Sequence, residues 1–106
     1  MPFDAHGRII PGALSPSRRV PADITRPPYV GLEAPPPYDG DNTYSEDEIG
    51  LIRAAGRIAS RALDAVGEAV RPGVTTDELD RIAHEFVVSH GAYPSTLGYR
   101  GYPKSC

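Results

Sequence analysis

The stretch RPGVTTDELD, residues 71–80, decides how this chain folds. Pro72 and Gly73 predict a turn that ends a preceding helix, because proline lacks an amide donor and glycine adopts turn conformations easily. The run Thr75-Thr76-Asp77-Glu78 then matches a capping box, in which a hydroxyl group accepts hydrogen bonds from the first free amides of a new helix. The stretch therefore predicts two helices joined by a short turn, which is an αα-hairpin.

The predicted first helix runs from Ser45 to the turn. Ser45-Glu46-Asp47-Glu48 is another capping box, and its acids suit the positive end of the helix dipole. Apolar residues then recur at intervals of three and four, which marks one face of a helix. That face consists of Ile49, Ile52, Gly56, Ala59, Leu63, Val66 and Val70. About 25 residues at 1.5 Å each give a helix of roughly 37 Å. A helix that long usually lies across something larger than this chain.

The predicted second helix begins at Thr75 and ends at Gly91, a residue type that often terminates helices. Its expected buried face consists of Leu79, Ile82, Ala83, Phe86 and Val87. Its expected exposed acids are Asp77, Glu78, Asp80 and Glu85. On that side we expect Asp77 to pair with Arg81, and His84 to pair with Asp80 at the surface. No metal role is predicted for His84 or His90, because the two rings do not share a helix face.

Residues 1–43 are expected to be extended and irregular. Nine of the 12 prolines lie in the first 37 residues, where each fixes φ and removes a backbone donor. The segment is either disordered or laid along a folded surface in polyproline II conformation, with Tyr29, Val30 and Leu32 as an anchor. The run PPPY, residues 35–38, matches the short P-P-x-Y pattern that WW domains bind, although proline-rich tails also produce it by chance.

Composition argues against several classes of function. The formal net charge of −3 gives no broad electrostatic case for nucleic acid. No apolar run approaches the ~20 residues that span a membrane, and the beginning of the chain lacks the apolar core of a secretory signal. We therefore expect a cytoplasmic protein. Cys106 is the single cysteine, and no neighbour that would activate it as a nucleophile can be identified.

The segment from Gly91 to Cys106 is aromatic, glycine-rich and interrupted by prolines. It predicts the start of a strand that runs into a loop. Its tyrosines are Tyr93, Tyr99 and Tyr102. A tyrosine offers a flat apolar body with a polar tip, which suits the wall of a small-molecule pocket. The residues alone thus predict a helical hairpin, an extended tail and a tyrosine-lined loop, without complete reaction machinery.

The run GYRGYPKSC, residues 98–106, resembles the type I methionine aminopeptidases, for which G-Y-x-G-[YF]-P-K-S is a specific motif. The runs PGVTTDELD at 72–80 and GAYPS at 91–95 resemble the same family. The likeness covers about residues 44–106, and the proline-rich residues 1–43 resemble the N-terminal extension of one bacterial subtype. The resemblance implies an α+β pita-bread fold. Residues 44–106 would be the N-terminal part of its catalytic domain, with the αα-hairpin and the first strand and loop.

The resemblance also implies a reaction, the removal of the initiator methionine from nascent proteins. Two divalent metal ions would support the hydrolysis, and the sequence does not distinguish Co, Mn, Fe, Zn or Ni. The family's metal ligands and catalytic histidine follow the P-K-S run, so none is carried over and residues 1–106 alone are expected to bind no metal pair and to be inactive. By the motif, Tyr99 and Tyr102 match the aromatic wall of the methionine pocket, and Thr96 matches a position that is often cysteine. Aromatic edges hold a flexible thioether well.

The partners implied by the resemblance are nascent polypeptides that begin with methionine and, through the N-terminal extension, the ribosome. No membrane or specific nucleic acid is implied, and the full-length protein is expected to be a monomer. Two alternatives stay open. In the first, the chain is a short noncatalytic binding module that acts through its proline-rich tail or its helical hairpin. In the second, it is a noncatalytic relative of the aminopeptidase fold.

Overall fold

The computed structural model describes residues 3–106, and the structural statements below refer to them. Two α-helices follow one another along the chain, α1 (Glu46–Ala69) and α2 (Thr76–Ser89), and a short 3-10 helix spans Tyr99–Gly101. The two α-helices pack against each other. The αα-hairpin predicted from the turn sequence is therefore confirmed. Neither α-helix of the described chain is long and apolar enough to cross a membrane.

Both α-helices begin at the predicted capping residues. The Ser45 hydroxyl accepts a hydrogen bond from the amide of Glu48 at 3.2 Å, and the Thr75 hydroxyl accepts one from the amide of Glu78 at 3.1 Å. Each bond satisfies an amide that the helix itself leaves free, which stabilises the helix by about 1 kcal/mol. Gly73 has a φ of +93°, a left-handed conformation that favours glycine and lets the chain turn from α1 into α2.

Helix α1 buries little of its predicted apolar face. Ala62 is its one buried residue. Ile52, Leu63 and Val70 are 53%, 72% and 61% exposed, because nothing within residues 3–106 packs over them. The α1 face, part of α2 and the segment 92–106 together surround an open, largely apolar groove of about 580 Å³.

Helix α2 places two polar residues differently from the prediction. Asp80 and His84 are buried, with 3% and 4% of their surface exposed. The prediction of an exposed Asp80 that pairs with His84 at the surface is wrong. The reason is that α2 is covered on this side by two distant parts of the chain, residues 15–19 and 103–105, which supply the hydrogen-bond partners described below.

The surface pair predicted for Arg81 is also wrong. Arg81 contacts Glu78 at 2.5 Å and Glu85 at 2.7 Å, one helical turn to either side. Asp77 instead accepts a hydrogen bond from Lys104 at 2.9 Å. On the helix, Asp77, Glu78 and Glu85 are all spaced to reach Arg81. Because Asp77 pairs with Lys104, Arg81 pairs with the two glutamates.

The N-terminal segment, residues 3–43, lies along the folded part of the chain. It contains no helix, and its one β-type contact is an isolated bridge between Phe3 and Ile9. Ile24 is buried, and the Tyr29 ring packs against the Tyr99 ring with their centroids 5.2 Å apart. The segment therefore lies along a folded surface, and its polyproline II conformation stays a prediction. Tyr29 of the expected anchor is part of the contact, whereas Leu32 is 46% exposed.

The segment 92–106 forms turns where the sequence predicted the start of a strand. No β-strand is present among residues 3–106. The amide of Leu97 donates to the carbonyl of Pro94 at 3.0 Å, and the amide of Tyr99 donates to that of Thr96 at 3.1 Å. A strand needs a neighbouring strand for its backbone groups. The described chain offers none, so these groups bond locally.

Candidate functional site

The three residues that the sequence predicted to contact substrate lie together. Thr96, Tyr99 and Tyr102 line one hollow of about 560 Å³, and Tyr29 and Ser95 complete its lining. Ligand pockets usually measure roughly 300–1,000 Å³, so this tyrosine hollow has room for a small ligand or a side chain. The structure thus assembles the predicted residues, and their role in binding methionine stays a prediction.

A tight turn brings the two motif tyrosines to the hollow. Gly98 and Gly101 have φ values of +84° and +77°, and Arg100 between them has +50°. A left-handed conformation costs a non-glycine residue about 1–2 kcal/mol, so the turn needs other contacts to hold it. The amide of Gly98 donates to the Tyr102 carbonyl at 2.7 Å, and the amide of Tyr102 donates to the Tyr99 carbonyl at 2.9 Å. These bonds close the turn and fix both tyrosines at one hollow.

Thr96 has a structural bond in addition to its place in the hollow. Its hydroxyl donates to the carbonyl of Lys104 at 3.1 Å, and this bond joins the two ends of the loop. A thiol is a weaker donor than a hydroxyl group. A cysteine at this position would therefore hold the loop less firmly.

The sequence did not assign Ser95 or Tyr29 to the site, and Tyr29 comes from a distant part of the chain. Its hydroxyl donates a hydrogen bond to the Ser95 carbonyl. Burial raises the pKa of Tyr29, with smaller contributions from Tyr93 and Tyr99 nearby. The sequence marked Tyr29 as a possible anchor. No spacing or motif indicated which part of the chain the anchor would contact.

A partly buried group of polar side chains joins the N-terminal segment to α2 and to the P-K-S run. Lys104 is 7% exposed, and its ammonium group donates to the Asp77 carboxylate and the Ser15 carbonyl, both at 2.9 Å. The Ser15 hydroxyl also donates to Asp77 at 2.7 Å. The bond from Lys104 and then the bond from Ser15 hold the pKa of Asp77 below its usual value.

Asp80 and His84 continue this group along α2. One Asp80 oxygen accepts from the Arg18 guanidinium at 3.2 Å, and the other accepts from the Ser105 amide at 2.6 Å. The His84 ring lies 2.8 Å from the Ser105 hydroxyl through Nδ1 and 2.8 Å from the Arg19 carbonyl through Nε2. Because a carbonyl only accepts, Nε2 carries a proton and donates it to Arg19. Each of these contacts links α2 to another segment of the chain. We call the whole polar group on this side of α2 the clasp; it consists of Ser15, Arg18, Arg19, Asp77, Asp80, His84, Lys104 and Ser105.

The described chain does not form a metal centre. Residues 3–106 contain no group of three or more His, Cys, Asp or Glu side chains able to hold a metal ion. Asp77 and Asp80 are engaged by Lys104 and Arg18, and His90 stacks on Phe86 with ring centroids 4.4 Å apart. We therefore assign no metal ligand to these residues.

A comparison with protein families defines the class of protein. The family model of metallopeptidase family M24 matches residues 50–106, more than half of the chain. The matched part contains both tyrosines of the motif and most of the helical hairpin. The chain therefore belongs to metallopeptidase family M24.

Within this class, the chain is similar to methionine aminopeptidases. It is 58% identical over 96 residues to Methionine aminopeptidase 2 of Mycobacterium tuberculosis. This match covers 91% of this chain and 34% of the relative. It is 48% identical over 99 residues to the chloroplastic/mitochondrial Methionine aminopeptidase 1D of Arabidopsis thaliana, covering 92% and 28%. The mitochondrial Methionine aminopeptidase 1D of Homo sapiens is 36% identical over 102 residues, covering 95% and 30%. The resemblance inferred from the closing motif is thus confirmed.

The extent of these matches carries two further facts. The chain spans about a third of the length of the curated relatives it matches. The 96 residues matched to the M. tuberculosis relative also exceed what residues 44–106 contain, so a large part of the N-terminal segment is matched as well. The sequence motif had indicated a clear likeness only from about residue 44 onward.

Proposed function

We propose that this chain is part of a methionine aminopeptidase and that its tyrosine hollow receives the side chain of an N-terminal methionine. Membership of family M24 and the similarity to methionine aminopeptidases support the assignment. The observation that carries the choice of site is that Thr96, Tyr99 and Tyr102 line one hollow. The substrates would be nascent polypeptides that begin with methionine.

The chemistry of the tyrosine hollow suits a thioether. The sulfur of methionine interacts favourably with the edges of aromatic rings, by about 0.3–1.5 kcal/mol per contact. Its unbranched chain also adapts to an irregular space better than a branched one. Because position 96 is threonine, the hollow presents no thiol there, and reagents that modify cysteine would not react at this point of its wall.

We propose that the open groove between α1 and α2 is the surface on which the sheet of a pita-bread fold lies. A helix with one apolar face must bury it against another layer in a stable domain. Ile52 and Leu63 on that face are exposed within residues 3–106. Covering one such side chain contributes about 1.5–3 kcal/mol. In this proposal residues 44–106 belong to the catalytic domain and residues 1–43 form an extension that is packed on it.

The proposed hydrolysis depends on metal ions, which activate a water molecule for attack on the first peptide bond. Residues 3–106 hold no suitable group of ligands. We therefore assign to this chain the recognition of the methionine side chain and to other residues the metal chemistry. Contact with the ribosome through residues 1–43, a monomeric state and a cytoplasmic location are further parts of the proposal.

A chimera tests the proposed function. In it, these 106 residues replace the matched segment of the M. tuberculosis relative. We expect metal-dependent release of methionine from the peptide Met-Ala-Ser. Replacing Tyr99 by alanine should lower kcat/KM by about 10- to 200-fold, mainly through KM, because an aromatic wall of the hollow is lost. Tyr38→Ala, at a residue 69% exposed and outside the hollow, is the matched control.

Two results would count against the proposal. The first is a folded, metal-loaded chimera that releases no methionine, and the second is an equal effect of Tyr99→Ala and Tyr38→Ala. The isolated 106-residue chain is expected to release none. Metal-dependent release by that chain would contradict the assignment of the metal chemistry to other residues.

The P-P-x-Y run supports a second candidate function, the binding of a WW domain. The Tyr38 ring is exposed, and its hydroxyl donates to the Asp41 carbonyl. Proline-rich segments are bound by such domains through exposed, extended backbone. Binding of a purified WW domain that Tyr38→Ala abolishes would support this candidate, and binding unchanged by that substitution would exclude the run as its ligand.

A further inference from the structure

We propose that Tyr29 is a specificity-determining wall of the tyrosine hollow and limits the width of the side chain admitted there. The inference rests on the proposed function of that hollow. Tyr29 lies in the N-terminal segment, outside residues 50–106 that match the family model. The proposal therefore gives this segment a role in substrate recognition, in addition to covering a surface.

The Tyr29 ring is held firmly enough to act as a wall. Its plane stands at 85° to that of Tyr99, with the ring centroids 5.2 Å apart, which is an edge-to-face contact. Such aromatic pairs contribute beyond the area they bury. The Tyr29 hydroxyl donates to the Ser95 carbonyl, and Ser95 also lines the hollow. The ring is thus held by its contact with Tyr99 and by its hydroxyl group, and it cannot swing away without losing both contacts.

The backbone around Tyr29 is fixed on both sides. Before it, the Arg26 guanidinium donates to the carbonyls of Pro21 at 2.5 Å and Ile24 at 2.7 Å. This guanidinium also lies over the Tyr93 ring, 5.9 Å from its centroid. After it, Val30 lies so close to Gly98 that a Cβ on that glycine would stand 3.4 Å from the valine methyl group. The position of Tyr29 is therefore set by the loop that carries the motif tyrosines.

The clasp on α2 anchors the same segment further upstream. Arg18 bonds to Asp80, and the Ser15 hydroxyl bonds to Asp77. The segment therefore reaches Tyr29 from a fixed start. A wall that is formed in advance selects by size, because widening the hollow would break existing contacts.

Selection by width has a measurable consequence. With Tyr29, Tyr99 and Tyr102 in its lining, the hollow would hold an unbranched side chain such as that of methionine against three aromatic rings. Removing the Tyr29 ring opens one side. A bulky side chain such as phenylalanine would then enter, whereas methionine would lose one aromatic contact. In the Tyr29→Ala variant we expect the ratio of kcat/KM for Phe-Ala-Ser to that for Met-Ala-Ser to rise about tenfold or more.

The test uses the full 106-residue chain carried in the chimera with the M. tuberculosis relative. Tyr29→Phe keeps the ring and loses only the bond to Ser95, so its ratio is expected to stay close to that of the parent. Tyr38→Ala, in the same segment but outside the hollow, should also leave the ratio unchanged. Both substrates are measured on one sample. Partial unfolding of a variant therefore lowers both rates alike and does not change the ratio.

The outcomes separate this inference from the proposed function. If the parent chimera releases methionine and Tyr29→Ala raises the ratio while Tyr29→Phe does not, the inference holds. If the parent is active and Tyr29→Ala lowers both rates equally, Tyr29 has only a structural role and the inference is overturned, although the proposed function stands. A folded, metal-loaded parent chimera that releases no methionine overturns both.

Discussion

Helices α1 and α2 begin in the same way but differ in what covers them. The polar side of α2 is enclosed by residues 15–19 and 103–105, and Asp80 and His84 have all their partners there. The apolar side of α1 faces an open groove, and Leu63 on it is 72% exposed. The described chain thus completes one of its two contact surfaces and leaves the other without a cover. The completed surface is polar and is assembled from parts of the chain far apart in sequence.

This difference shows what the N-terminal segment contributes to the fold. The proline-rich composition left open whether this segment is disordered or packed. In the structure, its Arg18 and Ser15 bond to α2, and its Tyr29 lines the tyrosine hollow. Within residues 3–106, no buried side-chain nitrogen or oxygen is left without a partner. The segment therefore supplies the partners of the buried polar groups of α2, whereas the apolar face of α1 has no covering layer among residues 3–106.

The largest expected effect comes from breaking the clasp. Asp80→Ala removes the acceptor of the Arg18 Nε group and of the Ser105 amide, while Arg18 keeps its contact with Asp77. Losing one partner of a buried ion pair costs about 3–5 kcal/mol. Asp64→Ala, at an exposed position of α1, should change the free energy of unfolding by less than about 0.5 kcal/mol. Urea unfolding of both variants, followed by circular dichroism, measures the contrast. Equal effects would mean that the clasp does not stabilise the chain.

A pair of leucines tests the open groove. Leu97 is 8% exposed, so Leu97→Ala should cost about 2–5 kcal/mol in the 106-residue chain and in the chimera alike. Leu63→Ala should cost less than about 0.5 kcal/mol in the chain alone, because that side chain is already exposed. In the chimera we expect it to cost about 2 kcal/mol or more, since the added layer would bury it. A small effect of Leu63→Ala in both proteins would argue against a cover on α1.

The two helix caps give a smaller and more local contrast. Thr75→Ala and Ser45→Ala each remove one capping bond, worth about 1 kcal/mol. Helix α2 is packed along its first turn, so loss of the Thr75 cap should lower the stability of the whole chain. The Ser45 cap should affect only the first turn of α1. Amide hydrogen exchange distinguishes the two, and a global change caused by Ser45→Ala would contradict the comparison.

The smallest expected effect is a dependence on pH. Because Lys104 and Ser15 lower the pKa of Asp77 below its usual 3.8, its carboxylate favours the folded state at higher pH. That contribution is present above the usual pKa and is lost as the pH falls through the lowered folded value. Stability measured from pH 6 down to pH 2 should therefore fall less in Asp77→Asn than in the parent. Parallel curves would show that the bond from Lys104 does not act through the charge of Asp77.

The parts of the fold that depend on neighbouring residues could be predicted from the sequence. The turn at Pro72 and the caps at Ser45 and Thr75 follow from local backbone chemistry, and all three are present. The burial of Asp80 and His84 could not be predicted, because their partners Arg18, Arg19 and Ser105 lie far away in sequence. The strand expected after Gly91 failed for a related reason, since a strand depends on a neighbour that the local pattern does not describe.

The residues of the candidate site also divide into those that the local sequence predicts and those that only long-range packing brings in. The motif placed Thr96, Tyr99 and Tyr102 at one site, and they line one hollow because a short closed turn carries them. Tyr29 entered the site only through the structure. Its neighbour Ser95 lies 66 positions away along the chain, and no periodicity or motif connects the two. Long-range packing of an irregular segment is the feature that the sequence pattern left undetermined.

Hydrogen exchange of α1 tests the central claim most directly, which is that the apolar face of α1 is one surface of a larger aminopeptidase domain. Amides around Ala62 and Leu63 are measured in the 106-residue chain and in the chimera, with those around Ala83 in α2 as the reference. We predict that the α1 amides exchange faster than those of α2 in the chain alone and become protected at least to the level of α2 in the chimera. Exchange of α1 that is equally fast in both proteins would contradict the claim.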